Sequence, residues 1–326
     1  MAFFLRVRGW FAHSFWHITG WMAIVPCSLV LVCRFTGYMP RTLIIGLVAV
    51  TLIVVLPAYL VLVVAVFGRH RVLAVAAAAV CVVHAGLFFS RLGFGDAPSH
   101  TPGRATIRVF EANVLYLNRD LTQIGREISK AAPDVLVIEE LTPQGLTQLR
   151  ASGALTALPY SVERVANSPS GTAIFSKWPL LDRRDPPYTL NALLGATLKH
   201  PSGDVEVYSV HVHGPTSNRH SWAAQLADLK RLFATYTGKP TIMAGDYNAT
   251  VDHKPFRDLL VTGVRDANEV TGRELAGSWP NNTVLWPVML IDHVIVTGGI
   301  KPLRTFEGQG AGSDHRPVIA DLELPG

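Results

Sequence analysis

Three short segments in the last third of this 326-residue chain set carboxylates, an amide and imidazoles against the ends of apolar runs. They are Met243-Ala-Gly-Asp246-Tyr-Asn248, Ile291-Asp292-His293 and Gly312-Ser-Asp314-His315-Arg316-Pro317. Groups of this kind hold a hard cation and move a proton, and a core strand has no use for them. Two earlier apolar runs end the same way: Asn113 interrupts Ile107-Arg-Val-Phe-Glu-Ala-Asn-Val-Leu, and Glu140 closes Asp134-Val-Leu-Val-Ile-Glu-Glu-Leu. Singly, an Asn or Asp after a strand is most often a turn former; it is the repetition that points to metal-dependent hydrolysis. Gly245, just ahead of Asp246, permits close backbone approach. Val205-Glu-Val-Tyr-Ser-Val-His211-Val-His213 supplies two further imidazoles, and strand alternation puts both on one face.

The elements that must carry these groups read as α/β. Strands are expected over 106–114, 135–138, 172–175, 196–199, 205–211, 241–244, 291–296 and 317–322. A helix capped by Asp120 should run to about 131, where Pro133 stops it, and a second should cover 142–150. Over 221–235 the apolar residues Trp222, Leu226, Leu229 and Phe233 recur at helical spacing. The Pro- and Gly-rich stretch 95–104 reads as a linker, so residues 105–326 form one catalytic domain.

Residues 1–94 are of another kind. They hold seven arginines, no lysine and no acidic residue, and three apolar runs at about 16–33, 42–67 and 72–90. The runs are long enough for a membrane anchor of three transmembrane helices, with Trp10, Phe11, Trp16 and Trp21 as an interfacial aromatic belt. A cleaved signal peptide fits poorly, because the apolar region recurs three times and no small-residue cleavage site follows an early run. Three spans put Arg6, Arg8, Arg69 and Arg71 on one face and Arg34, Arg41, Arg91 and Arg104 on the other. Arg104 lies farthest from a span end, which favours a multi-pass cell-membrane protein with its catalytic domain outside. The other 22 basic residues face all 24 acidic ones, so the catalytic part is close to neutral and lacks a bulk electrostatic footprint for nucleic acid. Cys27, Cys33 and Cys81 all lie in the apolar runs, leaving the catalytic part no thiol for a nucleophile or a zinc site.

In order and spacing, the motifs resemble those of the endonuclease/exonuclease/phosphatase superfamily, the DNase I-like phosphoesterases. The family's opening Asn matches Asn113, its Gln-Glu matches Glu139-Glu140 with Glu in place of Gln, and its Gly-Asp-Phe-Asn matches Gly245-Asp-Tyr-Asn248 with Tyr247 for Phe. Its Ile-Asp-His/Tyr and Ser-Asp-His segments are complete at Ile291-Asp-His293 and Ser313-Asp-His315, and Gly171-Thr-Ala-Ile-Phe-Ser-Lys-Trp-Pro179 is a weaker match. The resemblance spans about 104–324, and the preceding apolar runs are similar to a membrane-anchored bacterial subgroup.

What it implies is a four-layer α/β/β/α sandwich with the site at one end of two packed sheets. Glu140 and Asp314, with Asn113 nearby, would bind Mg²⁺ or Mn²⁺. Asp246 would orient or deprotonate the attacking water, and Asn248 would hold that water or a phosphate oxygen. His315 would contact the scissile phosphate, with Asp292 fixing its tautomer. His211 is the favoured second histidine and His213 the reserve. The partners implied are the lipid bilayer and a phosphoester, whether lipid, small molecule or nucleic acid, with no obligate protein partner evident. A nuclease acting on DNA outside the membrane is the alternative within the class. A non-catalytic receptor on the same scaffold would predict losses among the site residues, and none is lost.

Overall fold

In the computed structural model of the chain, residues 2–93, 98–185, 192–236 and 238–326 are described, with side chains from residue 15 onward. Linker residues 95–97 and the side chains of Arg6, Arg8, Trp10 and Phe11 lie outside this description. The chain divides into two compact units, Met1–Arg91 with Asp252–Lys254, and Leu92–Val251 with Pro255–Gly326.

The first unit is helical: α1 (Ala2–Thr36), α2 (Thr42–Ala49), α3 (Thr51–Val54), α4 (Pro57–Phe67) and α5 (Arg71–Ser90). Ile24, Cys27, Leu31, Ala58, Ala65, Leu73 and Ala77 pack inside it, while Met22, Leu60, Phe67, Val72, Val75 and Val82 point outward. Helices apolar on both faces suit hydrocarbon rather than water. Two of them, Phe15–Thr36 and Arg71–Ser90, are long and apolar enough to cross a membrane. The middle run departs from the expected straight span, because it is bent by 83° between Thr42–Ala49 and Thr51–Phe67. It makes a third crossing only if the bent pair counts as one. Val50 leaves the helical region there (φ −114°, ψ 37°), and the Thr51 hydroxyl donates to the Val48 carbonyl at 2.7 Å. Pro57 then begins α4 without an N–H to give. Buried His84 helps satisfy the broken stretch, its Nε2 lying 2.9 Å from the Leu52 carbonyl and its Nδ1 3.0 Å from the Tyr59 hydroxyl. Asp252, grouped with these helices, accepts a hydrogen bond from Arg34 Nε at 2.7 Å and also pairs with Arg91.

The second unit holds two six-stranded sheets. The first runs β11-β12-β1-β2-β4-β3 and the second β5-β6-β7-β8-β10-β9. In chain order the strands are β1 (Thr106–Asn113), β2 (Val135–Glu139), β3 (Tyr160–Arg164), β4 (Thr172–Ser176), β5 (Leu180–Arg184), β6 (Ala192–His200), β7 (Gly203–His211), β8 (Thr241–Asp246), β9 (Arg265–Asp266), β10 (Asp292–Thr297), β11 (Lys301–Glu307) and β12 (Val318–Glu323). Each sheet is centred on one parallel pair, β1 with β2 and β7 with β8. Parallel neighbours need a crossover, which α6 (Thr122–Ala131) makes in one sheet and α8 (Pro215–Ala234) in the other.

Period-2 alternation builds the layers. Val109, Val135, Val137 and Ile174 meet Val205, Val207, Ile242, Ala244, Val294 and Val296 between the sheets. Phe110, Leu136, Ile138 and Phe175 turn to the opposite face, under Ile124 and Ile128 of α6 and Leu146 and Leu149 of α7 (Pro143–Ala151). On α8, Trp222, Leu226, Leu229 and Phe233 are buried, with Phe233 edge-on to Tyr247. Two sheets flanked by helices make a DNase I-like α/β sandwich. The strands β3, β5, β9 and β11 were not anticipated: β3 and β5 carry mostly polar residues at the sheet edges, and β9 has only two residues.

Candidate active site

Asn113 ends β1, Glu140 follows β2, His211 ends β7 and Asp246 ends β8. Asp292 begins β10, which runs antiparallel to β8, and His315 precedes β12, which runs antiparallel to β1. All six groups therefore lie at one end of the sandwich. Register brings them together in pairs, His211 opposite Asp246 and Asp292 opposite the same residue. Parity does the rest. Asn113, His211, Asp246 and Asp292 share the inter-sheet face with Val109, Val207, Ala244 and Val294. Glu140 has the opposite parity, but its left-handed backbone (φ 58°) ends the alternation and turns the chain. Gly245, at φ 152°, cannot be replaced without strain, since a Cβ there would lie 1.8 Å from the Val210 carbonyl oxygen.

Asp246 is the hub. Its Oδ2 accepts from Asn113 Nδ2 at 3.2 Å and Asn248 Nδ2 at 3.1 Å, with His211 Nε2 at 3.6 Å and His315 Nε2 at 3.8 Å. Its Oδ1 accepts from the Asn248 backbone at 2.7 Å. Burial first, and then Asp292, push its pKa up to about 7 against the opposing charge of His315. Both oxygens of Asp292 face His315 Nδ1, at 3.0 and 2.9 Å. Burial alone would lower the His315 pKa; Asp292 and Asp246 override it and raise it to about 10. His315 is thus an imidazolium at neutral pH. His211 goes the other way: burial, then His315, lower it to about 4. Its Nδ1 sits 3.0 Å from the Pro169 carbonyl, which can only accept, so the neutral ring presents an Nε2 lone pair to the site.

Glu140 lies at the edge of this hub, its Oε1 3.2 Å from Asn113 Nδ2 and 3.9 Å from His211 Nε2, its Oε2 accepting from the Tyr116 backbone at 2.9 Å. Burial raises its pKa. The Asn113 amide oxygen accepts from Leu115 N at 3.0 Å, so this residue bridges Glu140 and Asp246 through its NH₂. The Asp314 side chain is 40% exposed, with Oδ2 accepting from Trp279 Nε1 at 3.1 Å and Oδ1 buried without a hydrogen-bond donor among the described residues. His213 is only half buried; its backbone N–H donates to Gln225 at 2.8 Å, and it is His211 that the structure sets against Asp246. His293 turns away, between Asp266 at 2.7 Å and the Ala249 carbonyl at 3.0 Å.

Several residues that hold the site in place were given no supporting role in the sequence reading. Ser313 Oγ donates to the Asn113 carbonyl at 2.7 Å and accepts from His315 N at 3.1 Å, stitching the last loop to β1. Buried Ser278 accepts from Ile291 N and Asp292 N, at 3.0 and 3.3 Å. Glu111 and Glu139 are fully buried beneath the hub, where Glu139 accepts from Ser209 at 2.7 Å, and burial holds both carboxyls well above their usual range. Glu111 was findable: it stands two residues before Asn113 in an apolar strand and so shares its face.

A two-sheet α/β sandwich with an Asn, Glu, Asp and His cluster at one sheet end defines the DNase I-like class. A profile of the Endonuclease/Exonuclease/phosphatase family matches residues 107–315, and the chain belongs to that family. Among solved structures, humanized Danio rerio TDP2 superposes with a TM-score of 0.58 at 15% identity, covering 67% of this chain and 99% of that one. Truncated Caenorhabditis elegans TDP2 gives 0.55 at 17% identity, over 67% and 98%. The human nocturnin catalytic domain with bound sulfate gives 0.54 at 16%, over 68% and 96%. At these identities the likeness concerns the fold. No curated protein sequence matches the chain.

Proposed function

We propose that the chain is a membrane-anchored, divalent-metal-dependent phosphoesterase that hydrolyses its substrate by in-line attack of water. The observation that carries this reading is the convergence of Asn113, Glu140, His211, Asp246, Asn248, Asp292 and His315 at one sheet end, around a buried Asp292–His315–Asp246 chain.

The donor set suits Mg²⁺ or Mn²⁺. Glu140 and Asp314 offer hard carboxylate oxygens, and the Oδ1 of Asp314 is one of the buried oxygens without a hydrogen-bond donor among the described residues. Asn113, with its NH₂ on Glu140, positions that carboxylate. Asp246, Asp292 and His315 also bring donor atoms within 4.8 Å of one another, but Asp292 is committed to His315, so this trio is better suited to holding protons. When bound, the cation would supply charge neutralisation at the phosphoryl oxygens.

Asp246, with a pKa of about 7, is poised to orient the water and take its proton near neutral pH. Asn248 holds that water or a phosphate oxygen. The His315 imidazolium donates from Nε2 to the scissile phosphate and stabilises developing negative charge, while Asp292 holds its tautomer and charge. His211 offers an acceptor beside Asp246.

The near-neutral catalytic part and the apolar helices favour a lipid or small phosphoester over nucleic acid. A nuclease is the second reading, favoured by one observation: a structural neighbour, Danio rerio TDP2, was solved with a single-strand DNA product. The helices would then hold a multi-pass protein in the cell membrane with its catalytic domain outside. The test is turnover by the full chain in detergent micelles against plasmid DNA, phospholipid and sphingomyelin, inositol phosphates and bis-p-nitrophenyl phosphate. Each is run with Mg²⁺, with EDTA, and with the Asp246→Asn/His315→Ala variant. Magnesium-dependent turnover lost in the variant supports the proposal and names the substrate class. A folded protein inert on every substrate with Mg²⁺ or Mn²⁺ present overturns it.

A further inference from the structure

The loop between Trp279 and Met289 leaves the site and returns to it. At its root, Trp279 Nε1 donates to Asp314 and Asn281 N donates to the Asp314 carbonyl at 2.7 Å. Asn282 Nδ2 donates to the carbonyls of Gly310 and Ser313, at 2.8 and 2.6 Å, and Met289 N closes the loop on the Trp279 carbonyl. The chain then runs directly into Asp292. The tip is Val284-Leu-Trp-Pro-Val288, with Val284 fully exposed, Leu285 70% and Trp286 72% exposed. These large apolar side chains lie in water beside the candidate site. A second exposed apolar residue, Leu117, stands on the loop after Asn113, and Asn118 ties that loop to the Ala311 carbonyl at 3.4 Å. Arg316, next to His315, lays its guanidinium over the Trp286 ring at 4.8 Å.

An exposed apolar tip needs an occupant. Trp with Arg is the pairing of a membrane interface, where the ring sits at headgroup depth and the cation reaches phosphate. The chain itself holds the domain near such a surface: only residues 91–105 separate the apolar helix α5 from β1, a tether that spans at most ~50 Å at full extension. We infer that the Val284–Val288 tip, with Leu117 and Arg316, is a lipid-bilayer contact that seats the mouth of the site at headgroup depth. The tip enters the interface, Arg316 pairs with headgroup phosphates, and the site faces phosphoesters displayed on the bilayer. This inference rests on the proposed anchor and substrate class, and it is read without turnover.

The test uses the full chain with Cys27→Ala, Cys33→Ala and Cys81→Ala, carrying a single nitrobenzoxadiazole label at Leu285→Cys. A matched control carries the label at Leu181→Cys, an exposed apolar position on β5. Both are reconstituted in phosphatidylcholine/phosphatidylglycerol vesicles and recovered by flotation. The expected result at 285 is blue-shifted emission, quenching by doxyl-labelled lipid and loss of quenching by aqueous iodide, with the control at 181 remaining open to iodide. Equal iodide quenching at both positions in floated protein overturns the inference and leaves the phosphoesterase reading intact. A chain that does not float removes the anchor and the inference with it. A label at 285 that shifts only when a single-stranded oligonucleotide is added overturns it in favour of base stacking.

Discussion

Asp246 touches Asn113, Asn248, His211 and His315 in one buried site, so single substitutions there separate chemistry from folding. Asp246→Asn keeps the shape and removes the base; we expect turnover to fall by ~10²–10⁴ with little change in KM, the usual contribution of a positioned proton acceptor. Steady-state kinetics beside an unchanged circular-dichroism melt checks this. Asp292→Asn acts through His315. With Asp292 in place His315 stays protonated to about pH 10, so activity should rise as Asp246 ionises through about pH 7 and decline as pH rises through about 10. In the variant the alkaline limb should move to lower pH, and a pH–rate profile reads it. Glu140→Ala should weaken Mn²⁺ binding by at least about tenfold, measured by titration calorimetry on the unreacted protein. These residues were legible because their chemistry contradicts the apolar runs around them. The roles of Ser209 and Ser278 were not, because a lone Ser carries no sign of which group folding brings across to it.

The strands act as rulers. Pairing of β7 with β8 and of β8 with β10 sets His211, Asp246 and Asp292 side by side, and Gly245 allows the close approach. Gly245→Ala brings a Cβ against the Val210 carbonyl in a backbone region that L-residues avoid. We expect a loss on the order of 3 kcal/mol or more, seen as a lowered thermal midpoint or insoluble protein. A second device at this scale joins β9 to β10. His293 is buried against Asp266; burial alone would lower its pKa, yet Asp266 raises it above the ordinary value. A folded-state pKa above the unfolded ~6.5 means the pair contributes fully below that pH and is lost as pH rises through the folded value. The thermal midpoint should therefore drop as pH is raised above ~6.5, and Asp266→Asn should abolish that component. The strongly apolar strands β1, β2, β7, β8, β10 and β12 were legible from alternation and burial. The polar edge strands β3, β5 and β11 were not, since neighbouring strands rather than composition make them strands.

For the whole molecule, two helices long and apolar enough to cross a membrane suggest membrane association, and the proposed anchor and orientation can be tested directly. We expect the full chain to stay in the membrane pellet after alkaline carbonate washing, and protease added outside the cell to digest the catalytic part. Recovery of the chain in the wash would refute the anchor, and protection from external protease would refute the orientation. The middle apolar run shows where composition stops informing. Length and hydropathy over 42–67 satisfy a span, but the backbone turns by 83° at Val50, where Thr51 takes a helix carbonyl.

The amino-acid sequence alone determined which side chains could act, the family they resemble and the two-part character of the chain. These are matters of residue type and local spacing, and they survive without coordinates. Only the tertiary structure decided that His211 rather than His213 meets Asp246, that Asn113 turns its NH₂ to the carboxylates, and that Asp292 raises His315 while burial lowers His211. A pKa and a hydrogen-bond partner depend on what burial and register bring across from another strand, up to 200 residues away between Asn113 and Ser313.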